Sequence, residues 1–300
     1  MGGKEMRVMF AVLAGMWALV AASSVPAEPW ALAVDANLML TQNAYSDSWV
    51  GGEAGSISWA FNSNSLAERQ LSDRFHSKST LKLSFGQTHS QDSETKHWAK
   101  PQKATDLIEL ESVLRLTLGA FADPFLGGRV ETQFLDASDP TKDRYLNPVT
   151  LTETFGVARV LIGEEGREWV ARLGAGSRQY IDRDVLVDTL AERRETQTAY
   201  DGGLEFVSDF RTSFADEQMT FASKLTVFKA LFYSESDELE GLPNEDYWKS
   251  PDVDWENILT ANINTYVMVN FYMQLLYDKE IDLRSRFKQT LSLGLTYKLI

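Results

Sequence analysis

Few residues in this sequence are equipped for catalysis. It has three histidines, His76, His89 and His97, and no cysteine. A nucleophile–base pair for ester hydrolysis would draw on one of these. His89, beside Thr88 and Ser90, is the best placed along the chain. No Ser-His arrangement with an orienting Asn is legible, so no catalytic residue is assigned and hydrolysis is the weakest functional reading. Three histidines without thiols are little material for zinc. The segment 234–254 holds Glu235, Asp237, Glu238, Glu240, Glu245, Asp246, Asp252 and Asp254, but without the spacing of a calcium loop. It reads as a solvated acidic loop, and neither a metal nor a cofactor is expected.

The more telling charged residues alternate with apolar ones. Acids on the polar faces are Asp35, Glu109, Glu111, Glu131, Glu168, Asp201, Glu205, Asp209 and Glu256. Bases there are Lys78, Lys82, Arg115, Arg129, Arg172, Arg178, Arg211, Lys224, Lys288 and Lys298. A period of two puts one set of side chains on each face of a β-strand. Alternation of this kind recurs about a dozen times along the chain, most clearly where Ile108, Leu110, Leu114 and Leu116 interleave with Glu109, Glu111 and Arg115.

The connections decide between a soluble sandwich and a membrane barrel. Tight turns are expected at 120–123, 163–166, 214–217 and 264–266, alternating with long polar connections near 90–104, 136–148, 180–196 and 233–253. Short turns on one side and long loops on the other are the habit of outer-membrane barrels. The connection at 65–73 is expected to break that habit by being long. Within 182–194, Val185, Leu186 and Leu190 stand at helical spacing and suit a short surface helix. The fold class read from these features is all-β: a transmembrane antiparallel up-and-down barrel of about twelve strands, with both termini in the periplasm.

Both ends agree. Lys4 and Arg7 precede an apolar run to Val20, and Val25-Pro26-Ala27 suits cleavage before Glu28. Residues 1–27 therefore read as a secretory signal peptide and 28–300 as the barrel. At the other end Leu291, Leu293, Leu295, Tyr297 and Leu299 alternate with polar or small residues. Ser292, Gly294, Tyr297 and Leu299 have the form of the closing strand by which such barrels are recognised for assembly. The formal net charge of −14 disfavours nucleic acid as a partner. The expected surroundings are outer-membrane lipid, lipopolysaccharide and the barrel-assembly machinery, with the oligomeric state unassigned.

Several short motifs lie in a definite order. Asn37 and Gln42 precede Trp49-Val50-Gly51-Gly52; Phe85-Gly86, Lys103 with Asp106, Thr132-Gln133-Phe134 and Leu146-Asn147-Pro148 follow. In this order the chain resembles a bacterial outer-membrane β-barrel family catalogued as a domain of unknown function and found in Bacteroidetes-type bacteria. Ser48 departs from that family's Asn before the Trp, which marks a divergent member. The resemblance implies a barrel and a location, and no activity.

The polar faces then line a lumen. The charges assigned to it are Asp35, Glu109, Glu111, Arg115, Arg129, Glu131, Glu153, Arg159, Arg172, Glu205, Asp209, Arg211, Lys224 and Lys288. Glu153 and Arg159 enter because Arg at mid-bilayer costs about 2–4 kcal/mol. Phe155 is expected to follow them inward, leaving Thr152, Thr154, Gly156, Ala158, Val160 and Ile162 as a thin lipid face open to a protomer contact. Twelve strands fall between a filled bore and a water-filled one. The leading function is a narrow pore for small polar solutes; the alternative is a non-conducting structural or interaction barrel acting through its acidic loops.

Overall fold

The computed structural model describes residues 29–45, 54–216 and 218–298. The expected signal peptide, the Trp49–Gly52 motif and Leu299 lie outside these residues. Twelve strands form one closed antiparallel ring. In chain order they begin with β1 (Ala31–Asn43), β2 (Ser56–Gln70), β3 (Phe75–Ser90), β4 (Gln102–Leu116) and β5 (Asp123–Thr132). A small ribbon of β6 (Leu135–Asp136) and β7 (Arg144–Tyr145) stands outside the ring. The ring continues with β8 (Val149–Glu164), β9 (Arg167–Asp188), β10 (Arg193–Phe214) and β11 (Met219–Tyr233). It ends with β12 (Pro251–Asn262), β13 (Val267–Tyr277) and β14 (Arg286–Lys298).

Each strand pairs with its sequence neighbours in the ring, and β14 returns to pair with β1, Asp35 opposite Lys298 and Met39 opposite Gly294. The even number brings the start of β1 and the end of β14 to the same end of the barrel. The alternation sorts side chains as a membrane requires: Leu38, Leu40, Leu291, Leu293 and Leu295 are exposed on the outside, Leu293 at 61 %. Val207, Phe228 and Ala158 are buried inside, Val207 at 1 %. An apolar exterior around a polar interior inverts a water-soluble protein and suits strands in lipid.

Two expectations change. The connection read as long at 65–73 is short, because β2 runs to Gln70 and β3 starts at Phe75. The five connections at this end are then residues 71–74, 117–122, 165–166, 215–218 and 263–266. The segment read as a loop with a surface helix is instead a strand ribbon, with Arg194 opposite Leu186 and Glu195 opposite Val185. Ile181, Val185 and Val187 are β-branched and favour strand, and cross-strand pairing overrides the helical spacing.

Close packing at one seam demands glycine. Gly156 on β8 faces Gly174 on β9. A Cβ at Gly156 would stand 2.2 Å from the Leu173 carbonyl oxygen. A Cβ at Gly128 would meet nothing within 4 Å. Gly156→Val is therefore expected to reduce the folded, heat-modifiable band on a gel sharply, while Gly128→Val leaves it. Equal folding of the two variants would refute the close approach.

Candidate functional site: the charged bore

Side chains that meet across the ring can do so only through its interior. Lys82 on β3 and Glu256 on β12 are five places apart among twelve strands, yet Nζ and Oε2 are 2.6 Å apart. Lys224 on β11 reaches across a similar distance to Glu111 on β4 at 2.7 Å. Arg172 on β9 donates to Glu111 Oε1 at 2.6 Å, and Arg129 on β5 to Glu205 on β10 at 2.8 Å. Glu109 lies 3.4 Å from Lys82 and 3.5 Å from Lys224. The Tyr272 hydroxyl donates to Glu256 Oε1 at 2.9 Å. The network joins opposite walls and crosses the bore at mid-height.

Further pairs lie to either side of it. Toward the turns, Lys78 meets Glu168 at 2.8 Å, His76 meets Glu68 at 2.8 Å, and Arg115 is 4.0 Å from Asp123. Toward the loops, Arg178 pairs with Asp201 and, at 2.7 Å, with Asp252. Its guanidinium also lies 3.9 Å over the Phe228 ring. Such pairing is what a confined charge requires, because burial penalises an isolated ion by several kcal/mol.

Of the residues assigned to the lumen, Glu109, Glu111, Arg115, Arg129, Arg172, Glu205 and Lys224 are joined by these ion pairs. Lys288 Nζ lies 3.3 Å from Thr105 Oγ1. Asp35, Asp209 and Arg211 share the inward phase of their strands, and Arg211 lines a cavity of about 370 Å³ at the turn end. Glu131 follows the phase of Arg129 and makes no ion pair among the described residues. Asp252 and Asp254, read as part of the acidic loop, stand on β12 and face the bore, Asp254 accepting from Gln274 at 3.0 Å.

Glu153 and Arg159 require correction: both point outward. Glu153 lies between Gly128 and Ser177, and Phe155 beside it is 66 % exposed. Thr152, Thr154 and Ala158, expected on the lipid face, are buried inside. The reason is crowding. A Cβ at Gly176 would already touch both the Phe228 ring and Thr154 Cγ2 at 3.1 Å, so this sector has no room for Phe155. Glu153 and Arg159 flank Gly156 at three residues on either side, away from the centre of β8. Arg159 places its guanidinium 3.9 Å over the Phe121 ring in the turn 117–122.

Of the assembly residues, Ser292 lies 3.3 Å from the Asn270 carbonyl, Gly294 faces Met39, and the Tyr297 backbone is opposite Ala36. His89 sits beside Trp98, ring centroids 6.2 Å apart. Among the described residues no group of three or more His, Cys, Asp or Glu is placed to hold a metal.

A second polar assembly, at the loop end, was marked in the sequence only by Asn147 of the Leu146-Asn147-Pro148 motif. Arg144 joins Asp136 at 2.6 Å and Asp182 at 2.9 Å. Asn147, 2 % exposed, donates to Asp182 at 2.6 Å and accepts the Arg183 amide at 2.8 Å. Arg194 donates to Asp139 at 2.8 Å and to Thr141 at 2.6 Å. These bonds latch the segment 133–148 to the part of the β9–β10 ribbon that rises beyond β8. The partners are spread over some sixty positions with no repeating interval, so only the fold brings them together.

The closed ring, the apolar outer band and the charged interior decide the architecture. It is that of an outer-membrane β-barrel. Residues 40–137 match the family model described as Protein of unknown function (DUF3078). No curated protein matches the sequence. Among solved structures, the barrel is similar to an outer membrane channel from Pseudomonas putida F1, at 15 % identity and a TM-score of 0.39, covering 93 % of this chain and 97 % of that one. It is also similar to the translocator domain of the autotransporter NalP from Neisseria meningitidis, at 8 % identity and a TM-score of 0.33, covering 98 % and 95 %. A third likeness is OprB from Pseudomonas putida, at 8 % identity and a TM-score of 0.25, covering 90 % and 93 %.

Two outcomes are expected from the bore and the latch. Arg172→Met leaves Glu111 with one partner fewer and should cost about 3–5 kcal/mol in denaturant unfolding, recovered in part by adding Glu111→Gln. A double variant no more stable than the single would contradict the pairing. In the latch, the Arg194 and Thr141 hydrogen bonds hold the Asp139 carboxyl below the usual range. Its folded value is depressed, so its contribution is present above about pH 4 and lost as pH falls toward the folded value. Pepsin nicking within 133–148 should rise from pH 4 to pH 2, and Asp139→Asn should be nicked at pH 4 already.

Proposed function

We propose that this barrel passes small polar solutes slowly across the outer membrane, through a bore held narrow by paired charges, and is not an enzyme. The observation that carries this reading is the Lys82–Glu256 and Lys224–Glu111 contact across the mid-height of the ring. A bore crossed by side chains stays narrow and polar and leaves room only beside the crossing. In this reading both termini face the periplasm, the loop end meets lipopolysaccharide, and β14 is the strand recognised by the assembly machinery.

A second reading is favoured by one feature. The 22-residue strands β9 and β10 exceed what a tilted strand needs to span, about 9–11 residues, and their latched ribbon forms an ordered platform at the loop end. A barrel that works through that platform need not conduct.

Planar-bilayer recording separates the two. The expected wild-type conductance is small and weakly ion-selective, because the charges at the crossing largely cancel. Arg129→Gln leaves Glu205 without its partner and should raise the current and shift it toward cations. Glu238→Gln with Glu240→Gln should change little, since loop charge is screened over about 8–10 Å. A large, strongly cation-selective wild-type channel would overturn the paired-bore account, and silence in every variant would leave the platform reading.

A further inference from the structure

The bore is not uniform around its circumference. One side is filled by Phe125, Val207 and Phe228, each buried, together with Arg172 and Arg178. The other side, formed by β13, β14, β1 and β2, sends in amides and hydroxyls. Asn270 donates to Thr260 Oγ1 at 3.1 Å, Asn62 accepts from Ser84 at 2.6 Å, and Ser58 shares a hydrogen bond with Thr88 at 2.9 Å. Ser292 faces in between the outward Leu291 and Leu293. Asn37 Oδ1 is buried on the inward face of β1 and accepts no hydrogen bond from the described residues. Among the described side chains, the charges these four strands send inward are Asp35, two residues from the centre of β1, and Glu68, Arg286 and Lys288, which lie toward the strand ends.

We propose that this mostly neutral wall is the solute path, and that it selects neutral, hydroxyl-rich solutes of the sugar or polyol class over ions. The inference rests on the passage reading and deepens it. Amides and hydroxyls both donate and accept, so they can replace the water around a hydroxylated solute one hydrogen bond at a time. An ion on the same path loses hydration and finds the mid-height charges that flank the wall, Lys82 and Glu256, already paired with each other. The aromatic and charged filling of the far side displaces the path toward the neutral one.

The chain has no cysteine, so single thiols report cleanly. Ser292→Cys and Asn62→Cys each place one on the wall. Three methanethiosulfonate reagents of similar size test it, one bearing a neutral hydroxyethyl group, one a sulfonate and one a trimethylammonium. Rates are corrected for the reactivity of each reagent with a free thiol. The neutral reagent should react about tenfold faster than either charged one, a barrier difference of about 1.4 kcal/mol. Thr154→Cys, on the filled side, should react slowly with all three. Equal corrected rates on the wall, or a faster charged reagent, overturn the inference. Swelling of liposomes containing the wild-type barrel in a neutral pentose, compared with its aldonate and its amino sugar, tests the passage separately. Faster swelling in the pentose supports both ideas, and one common rate removes the selectivity while leaving the passage. No swelling, with the neutral preference at the thiols intact, removes the passage alone.

Discussion

Everything in this molecule depends on the ladder between β1 and β14. Hydrocarbon offers no partner to a backbone amide or carbonyl, so a sheet in lipid is stable only if its last strand returns to its first. The register of that closure, Leu38 opposite Leu295 and Met39 opposite Gly294, aligns the outward leucines of both strands into one continuous band. Closure also divides space into an inside and an outside. Once it is made, period-two alternation ceases to be a surface pattern and becomes an assignment of each residue to lipid or bore.

The inside then has to be filled by what the alternation sends there, which is mostly charge. In so narrow a space an unpaired charge is costly, and the bore answers with pairs that reach between non-neighbouring strands. Packing joins electrostatics at the β8–β9 seam, where Gly156 and Gly174 let the strands approach and Phe228 and Phe125 occupy the volume. The consequence is a bore with one crowded, charged side and one neutral side. The neutral side is made of residues that no charge-based search would select.

Outside the membrane the same chain solves a different problem. A two-stranded ribbon alone in water is marginal. The β9–β10 extension is held by the segment 133–148 through Arg144, Asn147 and Arg194, so its rigidity comes from side-chain hydrogen bonds in place of further ladder. The bore is crossed by paired charges, and the latched ribbon holds a fixed surface at the loop end.

The fold class was legible in the sequence because its cause is local. Alternation along each strand, short turns beside long connections, and the apolar rhythm of 291–295 are all properties of neighbouring residues. The pairing strand by strand, the twelve-fold count and the inward phase of Glu109, Arg129 and Lys224 follow from that local rule. Where the rule was overridden, the override came from a distance. Glu153 and Arg159 face outward because Phe228 of β11, brought against Gly176 of β9, already fills the bore there. Within the 182–194 segment, residues 182–188 are strand because residues 193–197 pair with them. The partners Lys82 and Glu256, and Asn147 and Asp182, are long-range pairs with no spacing to betray them. Residue types and their period determined which faces exist; only closure of the ring decided which residues share the confined space between them, since volume and pairing inside a barrel belong to all its strands at once.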